Sequence, residues 1–355
     1  MKVSVQVSGR SALARHALVA CVLLIAWLSL FPFSGWRYQG MSLAAFLHPP
    51  WARQFYTFDV ILNVAGYVPL GVLMVLMAHP RPAWQGLLAA LIGGTALSAL
   101  MEALQGFLPV RVSSPVDLLA NGTGALLGSL LGVWVKPWLL HAGGLHLWRD
   151  RWFRRGADID FAMLLLVLWP LTQFLPGSLP LATGDLRALM AGPTATLHPA
   201  VVFVLIDGVV AFGHLIVLGL LGFLVIAPGR TPLGLVLVLV VLALVSRLLA
   251  LAWFTANPAL PGFLTPGALA GLVLGAVVLL GVRRIDRLTQ ARLALCVLGL
   301  VTLFLNLAPL YPYPIDSVAG RYPVYESSLR GLAALVSRCW PLLAAAFLVR
   351  RLRGG

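Results

Sequence analysis

The sequence predicts an all-α, polytopic helical integral membrane protein with about ten transmembrane helices. Three observations carry this reading. Of 355 residues, 60% are hydrophobic and only 10% are charged, against ~25% charged in an ordinary soluble chain. The mean hydropathy is +0.96, so the surface of a water-soluble globule of this length could not be covered with polar groups. Apolar runs long enough to cross a bilayer, ~20 residues each, recur along the whole chain. Disorder, a collagen-like chain and a disulfide scaffold are excluded by the same composition.

Taken in order, the expected spans are residues 15–33, 58–78, 85–106, 117–135, 159–176, 201–226, 233–254, 264–282, 293–311 and 331–350. Several contain Gly or Pro, which membrane helices tolerate. The first run follows Lys2, Arg10 and Arg15 and exits through Phe31-Pro32-Phe33-Ser34-Gly35-Trp36. No small-x-small cleavage site follows it, so a retained first span is expected rather than a signal peptide. Cys21, Cys296 and Cys339 each fall within an apolar run without metal-ligand spacing, and read as packing residues.

Orientation follows from the loop arginines. With the N-terminus inside, cytoplasmic segments hold 17 Lys and Arg residues and external loops hold 6. Both termini are therefore expected on the cytoplasmic side. The net charge of +14 reads as topology and contact with anionic lipid headgroups, and no nucleic-acid partner is expected.

Four regions are expected. Residues 15–135 form a four-helix unit. Residues 136–158, which include Trp138, Trp148, Trp152, Phe153 and clustered arginines, form an interfacial basic and aromatic segment. Residues 159–282 form a second four-helix unit, and 283–350 an added helix pair. A shift of 148 residues matches Asp59 to Asp207, Leu70 to Leu218, Gly71 to Gly219 and Pro80 to Pro228, and loops 34–57 and 177–200 are both 24 residues long. That is the pattern of a parallel duplication; the alternative is chance matching between apolar stretches.

Polar residues inside spans are costly and therefore informative. The second span opens with Asp59 and Asn63, four apart on one helical face. The third ends with Glu102 and Gln105, and the fourth opens with Asp117 and Asn121. Arg111, Ser113 and Ser114 lie in the loop between the third and fourth. Alternating topology puts all of them at one membrane level, the external ends of three consecutive helices. Three carboxylates and one arginine leave a formal balance of −2, to be met by a cation or a basic substrate group. The oxygen-rich set suits a hard cation such as Mg²⁺ or Ca²⁺ rather than Zn²⁺. No resident cofactor is expected otherwise. The plainer alternative is that these groups cap helix ends and tie three helices together.

The ordered motifs Asp59-x3-Asn63-x5-Pro69-x-Gly71, Glu102-x2-Gln105-x5-Arg111 and Asp117-x3-Asn121-x2-Gly124-x3-Gly128 resemble the VanZ-like membrane protein family, over residues 17–135. The resemblance implies a bacterial envelope protein. It also implies a link to glycopeptide antibiotic susceptibility, through the family's association with teicoplanin resistance, but no particular reaction. In the second half Asp207 persists, while Ala211, Ala250 and Thr265 replace the counterparts of Asn63, Glu102 and Asp117.

Other polar residues have plainer readings. Asp207 and Arg247 lie at similar depth and suit a structural ion pair. His214, seven residues from Asp207, reads as hydrogen-bonded packing, with a proton relay as the alternative. His141 and His146 form no metal site, and the Tyr- and Pro-rich loop 311–325 reads as an interfacial aromatic belt. The chain carries no phosphate loop, nucleophile elbow or HExxH motif. The favoured function is binding or moving a lipid or lipid-linked glycan through a pocket of Asp59, Asn63, Glu102, Gln105, Arg111, Asp117 and Asn121. The alternatives are a metal-assisted enzyme acting on an envelope lipid and a purely structural or regulatory membrane protein.

Overall fold

A computed structural model describes residues 8–40, 42–48, 57–78, 81–140, 149–175, 177–187, 198–254, 264–310 and 323–354. Ten helices fall one on each expected span. They are α1 Ser8–Leu30, α2 Thr57–Met77, α3 Ala83–Gln105, α4 Pro115–Leu140, α5 Ala157–Thr172, α6 Ala200–Val225, α7 Pro232–Phe254, α8 Pro266–Val282, α9 Arg287–Leu307 and α10 Pro323–Arg353. Among the described residues there is no β-strand, only an isolated bridge between Phe153 and Ile226. Among the described residues, seven helices are long and apolar enough to cross a membrane, and Ala17–Leu30 and Pro266–Val282 are shorter apolar helices. The protein is thus a multi-pass, all-helical membrane protein. With 16 residues, α5 reaches only ~24 Å at 1.5 Å per residue, short of the ~30 Å hydrocarbon core.

The chain divides into two compact units, Met1–Trp148 and Arg149–Gly355. In the first unit α2 and α4 run parallel and pack backbone to backbone. The contact depends on glycine: a Cβ at Gly124 would lie 2.2 Å from the Val64 carbonyl oxygen, and one at Gly128 would lie 2.0 Å from that of Val68. Small residues four apart let membrane helices approach this closely. α3 closes the other side of the pair, and Ile25, Leu30, Tyr67, Leu70, Met101, Leu108 and Ala125 form the buried centre. Leu88, Leu91, Ile92 and Leu100 of α3 remain exposed, as lipid-facing side chains do. α4 continues through Pro137 to Leu140, beyond the expected end at 135.

In the second unit α6 is buried along its inner two thirds, from Val210 to Val225, save for half-buried Phe212. α8 runs parallel to it through the same kind of contact, with Gly267 against Val204 and Gly271 against Gly208. α9 and α10, expected as an added pair, share this core: Leu298, Trp340 and Phe347 are buried with Trp169 and Leu218. The Trp340 indole donates to the Leu165 carbonyl at 2.9 Å.

The expected interfacial segment is described at residues 136–140, where it continues α4, and from residue 149 onward. Two of its aromatic residues, Trp152 and Phe153, pack against the second unit. Phe153 joins the core and Trp152 packs against it, with the Arg230 guanidinium 4.8 Å over the Trp152 ring. The cause is the end of α6, whose last carbonyls need donors. Arg154 N–H donates to Val225 O at 2.9 Å, and Ala227 N–H donates back to Trp152 O at 2.9 Å. Cys21, Cys296 and Cys339 are free thiols. Trp148, His141, His146 and residues 311–322 of the Tyr- and Pro-rich loop lie outside the described residues.

Candidate functional site

The polar cluster is assembled by the start of α2, the end of α3 and the start of α4. The α4 end is encoded locally. Ser114 is the N-cap, its hydroxyl accepting from Val116 N–H at 3.1 Å; Pro115 opens the helix, and Asp117 stands in the first turn, where a carboxylate is favoured. Because α2 and α4 are parallel and in contact, Asn63 reaches Asp117: its amide donates to Asp117 Oδ1 at 2.7 Å. Glu102 is 2% exposed. Its Oε2 accepts from Ser114 N–H at 2.8 Å, and its backbone carbonyl accepts from the Ser113 hydroxyl at 2.9 Å. Asn121 donates to Ser98 Oγ at 2.9 Å.

The carboxylates feel one another. Asp59 acts on Asp117, and Asp117 acts on Glu102. Among the described residues none of the three is ion-paired. The cluster also holds buried polar atoms without a hydrogen-bond partner, namely Asp59 Oδ1, Asn121 Oδ1 and the Tyr67 hydroxyl. The Tyr67 hydroxyl lies near Ser98 and Glu102 yet has no hydrogen-bond partner among the described residues. These are all the orphaned buried side-chain atoms that the first unit shows among the described residues. Buried polar groups are normally satisfied, so their concentration here is the most unusual feature of the unit.

Two of the expected site residues face elsewhere. Arg111 does not reach back over the carboxylates. Its Nη2 donates to Leu28 O at 2.9 Å and Phe31 O at 2.8 Å, and its Nε to Phe31 O at 3.2 Å. Gln105 likewise donates to Ser29 O at 3.1 Å. Both close the C-terminal end of α1, where unsatisfied carbonyls carry partial negative charge. Ser98 and Tyr67, by contrast, belong to the cluster without having been expected there. The signal was present: Ser98 stands four residues before Glu102 and Tyr67 four after Asn63, each extending a polar face by one turn.

The arrangement is two-layered. Asp59, Asn63 and Asp117 are partly exposed at the helix ends, and Glu102, Asn121, Ser98 and Tyr67 are buried beneath them. It presents acceptors and few donors. Among the described residues, no three His, Cys, Asp or Glu side chains converge closely enough to hold a metal ion.

Comparison with known families rests on this same stretch. The family model described as VanZ/LLP1 matches residues 17–136. This segment belongs to the VanZ-like family. The match spans the four helices of the first unit and stops before the second. Neither a curated protein nor a solved structure matches the chain. The VanZ-like unit therefore carries Asp59, Asn63, Glu102, Asp117 and Asn121 on three mutually packed helices, with Gln105 and Arg111 anchoring the fourth.

In the second unit, Asp207 and His214 serve a different arrangement. Asp207 lies near Thr265 and in the fields of Arg247 and Arg187; Arg247 donates to Ser178 Oγ at 3.3 Å. His214 accepts from Thr183 N–H through Nε2 at 3.1 Å, and its Nδ1 lies 2.9 Å from Val210 O. This is hydrogen-bonded packing that ties the 182–186 segment to α6.

Proposed function

We propose that the VanZ-like unit binds the polar headgroup of an envelope lipid or lipid-linked glycan, and thereby acts in the binding or movement of that lipid in the bacterial inner membrane. The observation that supports this reading is the orphaned acceptor set of Asp59 and Asn121, beside three carboxylates that lack an ion-pair partner among the described residues. A buried acceptor without a donor costs ~1–3 kcal/mol. A headgroup rich in hydroxyl or ammonium donors would relieve that cost, and the exposed apolar flanks of α3 and α4 suit an acyl or prenyl chain. The loop arginines favour an orientation with both termini cytoplasmic and the cluster facing the outer leaflet. Glycopeptide antibiotic susceptibility is the cellular readout this reading nominates.

The experiment is native mass spectrometry of the detergent-extracted protein, with and without Glu102→Gln and Asp117→Asn. Each substituted amide keeps an oxygen to accept the structural bond from Ser114 or Asn63. The fold should therefore survive while the site loses charge. Loss of a copurified lipid on substitution is expected. Retention of that lipid by both variants, or a lipid-free wild type with unaltered cellular susceptibility in the variants, would show that the cluster only ties helices together.

A further inference from the structure

The second unit carries a separate amphiphilic cleft where the start of α5 meets the end of α10. Its volume is about 540 Å³, and Asp158, Phe161, Ala346, Phe347, Arg350 and Arg351 line it. That falls within the ~300–1,000 Å³ typical of small-ligand sites. Arg351 is held by Asp158 at 3.2 Å and lies close enough to Arg287 for the two cations to repel. Arg350 is exposed and forms no ion pair among the described residues. Two guanidinium groups, Arg350 and Arg351, thus line the cleft with one carboxylate, Asp158. The α10 C-terminus attracts cations, but its dipole amounts to only about half an elementary charge.

Apolar surface runs away from the cationic rim. Phe161, Leu164 and Val167 of α5 are exposed at three-residue spacing, and Leu342 and Leu343 of α10, about one turn before Ala346, are exposed as well. Cation above and hydrocarbon below is the complement of an anionic lipid.

We propose that this cleft binds an anionic phospholipid, its phosphate on Arg350 and Arg351 and its acyl chains along the exposed face of α5 and α10. Asp158 fixes the Arg351 guanidinium in place, leaving its remaining donors for the phosphate. The site is independent of the polar cluster in the first unit.

The test titrates the full chain, in a non-ionic detergent, with phosphatidylglycerol and with phosphatidylcholine, reading bound lipid by native mass spectrometry. Phosphatidylglycerol should be retained in preference. Arg350→Ala and Arg351→Ala should each weaken it on the order of fivefold, the conversion of ~1 kcal/mol per basic side chain, with phosphatidylcholine unaffected. Arg350 is exposed and unpaired, so that variant should fold. Ala346→Leu, which fills the cleft without altering charge, should weaken binding as well. Arg353→Ala, outside the cleft lining, and Glu102→Gln should not. Equal retention of the two lipids, wild-type binding by Arg350→Ala and Ala346→Leu, or displacement of the lipid by millimolar inorganic phosphate would each overturn the proposal.

Discussion

Replacing Gly124 with alanine should loosen the α2–α4 seam and the polar cluster together. The added Cβ would stand 2.2 Å from Val64 O and 3.0 Å from Tyr67 Cβ. A carbon and a carbonyl oxygen settle at ~3.3–3.6 Å, so the two backbones must part by about 1 Å. Gly124 lies seven residues, or ~10 Å, along α4 from Asp117. An opening of that size carries the 2.7 Å bond from Asn63 to Asp117 past the hydrogen-bonding limit. Overpacking of this kind costs ~1–3 kcal/mol. The assay is equilibrium unfolding in mixed micelles, run beside lipid retention by native mass spectrometry. Gly66→Ala, on the facing helix α2, is the control, because nothing lies within 4 Å of its added Cβ; it should stay within ~0.5 kcal/mol of the parent. Gly124→Ala with parental stability and parental lipid retention would refute the claim that glycine contact at this seam sets the site.

Further outcomes follow from individual contacts. Arg111→Ala should release the end of α1, whose Leu28 and Phe31 carbonyls it holds, at ~1.5–3 kcal/mol for charge-assisted bonds; limited proteolysis after residue 30 would accelerate while lipid selectivity stays unchanged. His214→Ala should leave buried Thr183 N–H without its acceptor, costing ~1–3 kcal/mol in unfolding experiments, with His214→Gln restoring part of it. The Asp286 carboxylate caps α9, and the hydrogen bonds from Thr289 hold it below its ordinary value of 3.8. Its stabilisation is therefore complete at neutral pH, begins to fall as pH drops below that value, and is gone below the lower folded-state value. Circular dichroism through an acid titration should show that component missing from Asp286→Ala.

How much of this was legible in the sequence depended on the kind of contact. Helices were read from apolar run length, and each expected span fell on one helix. Asn63 and Asp117 were legible as partners because both stand in the opening turns of helices that topology places at one level. Arg111 and Gln105 were misplaced because their partners are backbone carbonyls of α1, which no side-chain pattern announces. The Gly124–Gly128 and Gly267–Gly271 seams give both units the same parallel helix pair. Their spacing stands in the sequence, but the helix each one faces does not. The docking of residues 152–154 onto the end of α6 was hidden for the same reason, since it is made through main-chain groups.

The most direct test of the central claim is the affinity of the copurified headgroup lipid for Asp117→Asn, measured beside the variant's unfolding free energy in the same detergent. A bond to a charged group contributes ~1.5–3 kcal/mol, so affinity should fall by roughly ten- to a hundredfold. Stability should hold, because the substituted amide still accepts from Asn63. Unchanged affinity, or affinity and stability falling together, would contradict a headgroup site and leave Asp117 as a strut between α2 and α4.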